Sequence, residues 1–175
     1  MKTILTEKLK VYNKSFRTLE IDPKKIIFEK KIELLCFHCK NYNYKFTCPP
    51  KIPKLDYKQI ISEYENGLLV YLKMDFNEEN YADIRNESTY KLHKALLHLE
   101  SFLYNNNIST ALSFIGGSCK LCKNGCPSDK CNNPYQSRMP MEAVGINVIK
   151  TAELVGLKIT FPVVDSLYRC GLILW

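Results

Sequence analysis

Residues 116–140 read Gly-Gly-Ser-Cys-Lys-Leu-Cys-Lys-Asn-Gly-Cys-Pro-Ser-Asp-Lys-Cys-Asn-Asn-Pro-Tyr-Gln-Ser-Arg-Met-Pro, and we expect the rest of the chain to be organised around this stretch. It contains four cysteines, Cys119, Cys122, Cys126 and Cys131, and almost no apolar side chain that could form a core. A loop of this length is uncommon inside a compact domain. Ordering its backbone costs roughly 1–2 kcal/mol per residue. Four thiolates that bind a metal or an iron–sulfur cluster would offset that cost.

The spacing of these four cysteines favours a [4Fe–4S] cluster over zinc. The gaps of two, three and four residues are close to those in the cysteine run of bacterial-type ferredoxins. A cubane cluster presents several irons within a few ångströms, so neighbouring cysteines can each reach a different iron. A structural zinc site more often takes two CxxC knuckles separated by a longer stretch. Because thiolates suit both zinc and iron–sulfur clusters, zinc stays an alternative.

A second and less complete group contains Cys36, Cys39 and Cys48. Three thiolates would hold zinc or a cluster with one position open or filled from elsewhere. His38 and Cys170 are candidates for the fourth ligand. His38 lies between two neighbouring ligands and is expected to point away, whereas Cys170 fits a small buried residue equally well. The sequence therefore predicts one or two [4Fe–4S] clusters, with zinc as the alternative cofactor.

The length of 175 residues suits a single metal-binding domain over residues 1–175, with a core large enough to need no disulfides. The N-terminus lacks the apolar region of a signal peptide, and no apolar run approaches membrane-spanning length. We therefore expect a cytoplasmic protein with no membrane partner, in which thiols stay reduced. Eight cysteines in that compartment indicate metal ligation or redox chemistry.

The formal net charge of +7 treats every cysteine as neutral. Eight thiolates and two divalent metal units would bring the metal-loaded protein to about +3. The excess of lysine is therefore poor evidence for nucleic acid binding. The basic residues around the cysteines are interpreted either as a solvated face or as a docking patch for an acidic redox partner. These residues are Lys45, Lys51, Lys54, Lys120, Lys123, Lys130 and Arg138.

Alternating strand and helix patterns predict an α/β domain. Leu68–Leu72 is a continuous apolar run that indicates a buried strand, and residues 81–106 repeat apolar side chains at the spacing of a helix. Asp56 is expected to cap a helix over 57–66, and residues 141–155 are expected to form a helix interrupted near Gly145. Short strands are expected at residues 26–28, 32–35, 110–115, 159–164 and 171–175.

The predicted arrangement is a mixed sheet with helices packed on it and both cysteine loops at one edge. Each cysteine loop is expected to follow a strand. The alternative is a split α+β fold with a separate cysteine-rich lobe. His93 and His98 are five residues apart and do not share a helix face, so they are interpreted as surface residues and not as a metal pair.

The motifs together resemble a known family. CxxC at 36–39, CPP at 48–50, GGxCxxC at 116–122 and MEAxGI at 141–146 resemble the predicted metal-binding proteins known as domain of unknown function 2284. The resemblance covers the chain from about Ile26 to its end. It implies a cysteine-bound metal or iron–sulfur centre in a small prokaryotic protein, and it brings no settled reaction. One departure is that the family usually has Arg-Pro-Ser before Met-Glu-Ala, where this chain has Arg-Met-Pro.

Three functions remain open at this point. The first is a cysteine-rich iron–sulfur protein with a redox or accessory electron-transfer role. The second is an enzyme whose three-cysteine centre keeps an open iron for substrate or sulfur, and the third is a zinc-binding interaction module. The sequence has no phosphate-binding loop, no nucleophile elbow and no evident acid–base pair. The redox role therefore comes first, while enzymatic activity and oligomeric state stay open.

Overall fold

The computed structural model describes residues 1–175. Five α-helices and four β-strands follow one another along the chain. They are α1 (Lys2–Tyr12), β1 (Phe16–Ile21), α2 (Lys30–Phe37), α3 (Tyr57–Ser62), β2 (Gly67–Asp75), α4 (Tyr81–Tyr104), β3 (Leu112–Phe114), α5 (Val148–Leu154) and β4 (Ser166–Leu174). Two short 3₁₀ helices, Pro23–Lys25 and Glu142–Val144, lie between them.

The strands form one sheet in the order β1-β2-β4-β3, and every neighbouring pair is antiparallel. The prediction of helices packed on a sheet is confirmed, but the sheet is antiparallel and not mixed. β2 and β3 do run parallel and are joined through α4, as in a βαβ unit. The last strand, β4, is inserted between them and pairs with both. A single parallel bridge joins Ile115 to Pro140 beyond β3.

Both faces of the sheet are covered, so β2 is apolar on both sides. Leu68, Val70 and Leu72 point into a core formed with α1 and α4, whereas Leu69 points into a second core on the opposite face. Strands that are buried on both faces have continuous apolar runs. The prediction of a buried strand at Leu68–Leu72 is therefore confirmed. The second core is closed by α3, α5 and the segment around the Glu142–Val144 helix.

Several local predictions are confirmed. The long helix is α4, and its buried face carries the leucines that set the predicted periodicity. The Asp56 side chain accepts a hydrogen bond from the backbone N–H of Gln59 at 3.0 Å, although α3 ends at Ser62. Gly145 has φ of +88° and separates a 3₁₀ helix from α5, which is the predicted interruption.

Other local predictions are wrong. Residues 32–35 lie in α2 and not in a strand, so the first cysteine group begins inside a helix, at Cys36. A short apolar run does not distinguish the two structures by periodicity, and no residue of α2 is buried. Residues 159–164 form no strand, whereas β4 begins at Ser166 because β2 pairs with it along its whole length. None of the helices has both the length and the apolar character needed to cross a bilayer.

Candidate metal centre

The four cysteines of the 116–140 loop line one small cavity, which we call the four-cysteine cavity. Cys119 is buried under α4, and Cys122, Cys126 and Cys131 are partly exposed. All eight cysteines of the chain are free thiols. The structure therefore places together the four side chains that the spacing predicted to act together.

Asn133 makes hydrogen bonds to two of the four sulfurs. Its side-chain Nδ2 donates to Cys122 Sγ at 3.2 Å, and its backbone N–H donates to Cys131 Sγ at 3.4 Å. Donors directed at sulfur favour the thiolate form and fix the orientation of a metal ligand. In iron–sulfur proteins such bonds also help to set the reduction potential.

Lys45 brings a positive charge to the four-cysteine cavity. The residue is only 8% exposed, and its Nζ donates to the backbone oxygen of Cys119 at 2.6 Å. Lys45 forms no ion pair with a carboxylate, although a buried ammonium without an anion is costly. Four thiolates around a divalent ion or a cluster core of the same charge carry about −2. Such a centre would supply the missing anion, so the interpretation of Lys45 as part of a solvated face is wrong.

Burial raises the pKa of the Cys119 thiol, because the thiolate form loses solvation. Burial likewise raises the pKa of Cys36, and it raises the pKa of Cys48 to about 12. Without metal these three thiols are neutral near pH 7, so a metal has to displace their protons to bind. In this structure no three His, Cys, Asp or Glu side chains are grouped closely enough to hold one metal ion. The sulfurs would therefore have to move inward to bind a single ion.

The donor set nevertheless fits a thiolate-bound centre. Four soft sulfur ligands around one cavity suit zinc or an iron–sulfur cluster. The buried ammonium of Lys45 complements the negative charge of either centre. Cys119, Cys122, Cys126 and Cys131 are the residues that would hold it.

The three earlier cysteines line a separate cavity of about 420 Å³, which we call the basic cavity. Neither candidate for a fourth ligand reaches it. His38 is exposed and packs edge-on against Phe37, with ring centroids 5.3 Å apart. Cys170 is buried in the second core, among apolar side chains. Cys36, Cys39 and Cys48 therefore have no fourth cysteine or histidine beside them at this cavity.

The two cysteine segments contact each other directly. Besides the bond from Lys45 to Cys119, the backbone at Gly125 lies close to the hydroxyl group of Tyr44. Gly125 has φ of +81°, and a Cβ atom at this position would collide with that hydroxyl. The segments thus form one unit, while their position at one edge of the sheet stays a prediction.

The loop that carries the main cysteines is anchored at its C-terminal end by two contacts that the sequence did not predict. His93 is fully buried, so its interpretation as a surface residue is wrong. Its Nε2 donates to the backbone oxygen of Gln136 at 2.8 Å. Arg138 forms a partly buried ion pair with Glu100, with Nη2 and Oε2 2.5 Å apart. A signal for His93 was available, because it adjoins the apolar positions of α4.

Of the charged residues that line the basic cavity, only Lys120 was singled out from the sequence. Arg85 and Arg169 line it together with Glu142 and Lys40, and the sequence did not mark them as site residues. The sequence did contain one indication for Arg169, because it is a single charged residue directly before the apolar residues at the end of the chain. No comparable signal marked Arg85 on the polar face of a long helix.

Comparison with known proteins identified one family. Residues 19–175 match the sequence model of a family described as "Predicted metal-binding protein (DUF2284)". The match includes all eight cysteines and all four strands except the first residues of β1. No curated protein and no solved structure matches the chain.

Proposed function

The chain belongs to the DUF2284 family of predicted metal-binding proteins, and we propose that its metal centre is a [4Fe–4S] cluster with a redox or accessory electron-transfer role. Cys119, Cys122, Cys126 and Cys131 would hold this cluster. The observation that carries the proposal is the four-cysteine cavity itself, where four thiols lie beside the buried charge of Lys45.

The choice of iron over zinc is supported by the spacing of the ligands and their hydrogen bonds. Gaps of two, three and four residues suit a cube whose irons each take one cysteine. The two bonds from Asn133 to sulfur are of the kind that tunes the potential of a cluster. Such a cluster would supply one-electron chemistry at a site where three of the four cysteines are partly exposed.

The proposed partner is an acidic redox protein. Lys123 and Lys130 are exposed within the loop of the main cysteines, and Lys51 and Lys54 are exposed in the segment after Cys48. Positive charge around a cluster steers an acidic partner and speeds its association. None of these four lysines forms an ion pair within the chain.

A second candidate function is an enzyme with an open-site iron–sulfur centre at Cys36, Cys39 and Cys48. The observation that favours it is the basic cavity, which these three cysteines line without a fourth cysteine or histidine. A cluster with three protein ligands would leave one iron for substrate. This function and the redox role are compatible in one protein, because the two cysteine groups line different cavities.

Metal and sulfide analysis tests the proposal. Protein made without oxygen should be brown, bleach with dithionite and contain iron and acid-labile sulfide in equal amounts. One cluster gives about four irons per chain and two clusters give about eight. Cys122→Ser should lose the main cluster, and with two clusters Cys39→Ser should lose the other. Cys170→Ala is the matched control and should keep all the iron, because Cys170 lies in the second core.

A protein that holds zinc and no iron would refute the proposal. If anaerobically prepared protein is colourless and holds stoichiometric zinc, both iron-based functions are refuted. The chain would then be a zinc-binding interaction module. If Cys170→Ala loses as much iron as Cys122→Ser, the assignment of ligands is wrong.

A further inference from the structure

The basic cavity contains more positive charge than the protein balances. Four cationic side chains line it, and none takes part in any of the six ion pairs of the chain. They come from the segment after α2, from α4, from the main cysteine loop and from β4. The four residues are Lys40, Arg85, Lys120 and Arg169.

Hydrogen bonds to α4 hold one side of the Arg169 guanidinium group in a fixed position. Its Nε donates to the hydroxyl of Ser88 at 3.2 Å, and its Nη2 donates to the backbone oxygen of Arg85 at 3.4 Å. Ser88 is fully buried in α4. The Nη1 group makes no hydrogen bond within the protein and lies beside Gly117, where a Cβ atom would be 3.2 Å from it. A guanidinium group fixed in this way loses little freedom when its remaining N–H groups bind a carboxylate or phosphate.

The other cations interact unfavourably with one another in the absence of an anion. Lys120 is half-buried and lines the cavity together with the like charges of Lys40, Arg85 and Arg169. Like charges that share a partly desolvated site oppose one another's ionisation. A bound anion would relieve this repulsion.

A single carboxyl group, Glu142, faces the same cavity. Its Oε2 atom is buried without a hydrogen-bond partner. One carboxylate against four cations leaves an excess of three positive charges, and a neutral carboxyl group would leave four.

A metal centre does not remove this excess. A [4Fe–4S] core of charge about 2+ on three thiolates contributes about −1, which leaves at least about two positive charges in the cavity. Neutral thiols contribute nothing. The excess therefore exists with and without a cluster at Cys36, Cys39 and Cys48.

We propose that the basic cavity binds a small organic anion, whose carboxylate or phosphate group is held by Arg169 and Arg85. The volume of about 420 Å³ lies in the range of roughly 300–1,000 Å³ that small-molecule sites occupy. Apolar side chains provide part of the lining and would cover the body of the ligand. They are Ile32, Leu35, Ala82, Pro140 and Ala143. The inference goes beyond the proposed cluster and does not depend on which metal the protein holds.

Titration calorimetry on the purified, metal-loaded chain tests this site. The probes are inorganic phosphate, acetate and benzoate, each at constant ionic strength against chloride. We expect saturable binding of phosphate, of benzoate or of both. We also expect benzoate to bind more tightly than acetate, because its ring contacts the apolar part of the lining. Binding of phosphate alone identifies a phosphate ester as the ligand class, and binding of benzoate alone identifies a carboxylate.

Arg85→Gln should weaken binding about tenfold or more, since it removes a charge-assisted hydrogen bond. Arg85 is exposed and its guanidinium has no partner within the protein, so the variant should fold. Arg169→Lys keeps the charge but lacks the planar fork, and it should also weaken binding. The control is Arg17→Gln, which removes the same charge from an exposed position on β1 and should bind as the wild type does.

The inference is overturned if neither phosphate nor benzoate binds saturably to the wild type. It is also overturned if Arg17→Gln weakens binding as much as Arg85→Gln, because the effect would then reflect net charge alone. Iron, sulfide and zinc measured on the same samples separate this result from the cluster proposal. A chain without iron that still binds the probes refutes only the cluster.

Discussion

His93 should make the stability of the protein decline in mild acid. Burial lowers the pKa of His93 to about 4, against an ordinary value of 6.5. The imidazole is therefore neutral in the folded chain, and its Nε2 donates to the backbone oxygen of Gln136. In the unfolded chain it takes up a proton below about pH 6.5. Since the unfolded state binds the extra proton, this histidine favours unfolding increasingly as the pH falls from 6.5 to 4.

The size of the effect follows from the two pKa values. Relative to pH 8, the protein should lose about 2 kcal/mol of unfolding free energy by pH 5 and about 3 kcal/mol by pH 4 through this one group. For a chain of this length, 2 kcal/mol corresponds to about 4–8 °C in melting temperature. His93→Gln removes the titration and retains an amide N–H that can donate to Gln136.

The assay compares thermal unfolding of the metal-loaded wild type and His93→Gln at pH 8 and pH 5, followed by circular dichroism. The variant should lose several degrees less than the wild type on acidification. Metal released in acid affects both proteins and cancels in the comparison. His98→Gln is the control, because His98 is exposed and stacks on Tyr12 with ring centroids 4.9 Å apart. The reasoning is refuted if His93→Gln and the wild type lose equal stability, or if His98→Gln removes the same share of the loss.

Two further predictions concern the contact between the cysteine segments and the ordering of the main loop. Gly125→Ala should speed the loss of metal to a chelator, because the new Cβ would displace the Tyr44 hydroxyl. Gly156→Ala is the control: its φ of +83° is similar but the space around it is open, so it should lose stability through backbone strain alone. Equal rates of metal loss in the two variants would contradict this prediction. Removal of the metal should make residues 116–140 sensitive to protease while α4 stays helical, since this loop has almost no apolar side chains of its own. Equal resistance of the loop to protease with and without metal would refute the idea.

Long or strongly patterned elements were predictable from the sequence. The apolar run of β2 and the leucine periodicity of α4 each determine one structure, whatever surrounds them. Short elements were not predictable, because contacts with neighbouring parts of the fold determine whether they form a helix or a strand. Residues 32–35 contain apolar side chains in a pattern that suits a strand, yet they form the exposed helix α2. Tyr168 and Arg169 interrupt the apolar character of β4, so its first half was missed.

The grouping of Cys119, Cys122, Cys126 and Cys131 was predictable, because side chains that are this close in the sequence are also close in space. Their role as ligands stays a prediction. The basic cavity was not predictable, because Arg85 and Arg169 are far apart in the chain and are brought together only by the pairing of β4 with β2 and by the packing of α4.

The interleaving of the two cysteine segments bears on the choice between a redox protein and an enzyme. Lys45 lines the four-cysteine cavity, whereas Cys48, three residues later, lines the basic cavity. In the same way, Cys119 lines the four-cysteine cavity and the next residue, Lys120, lines the basic cavity. An electron-transfer role alone requires only the partly exposed four-cysteine centre. It gives no reason to gather four unpaired cations around a cavity large enough for a small molecule. Residues that are neighbours in the chain therefore line both cavities, which is the arrangement that an enzyme supplied with electrons by the proposed cluster would need.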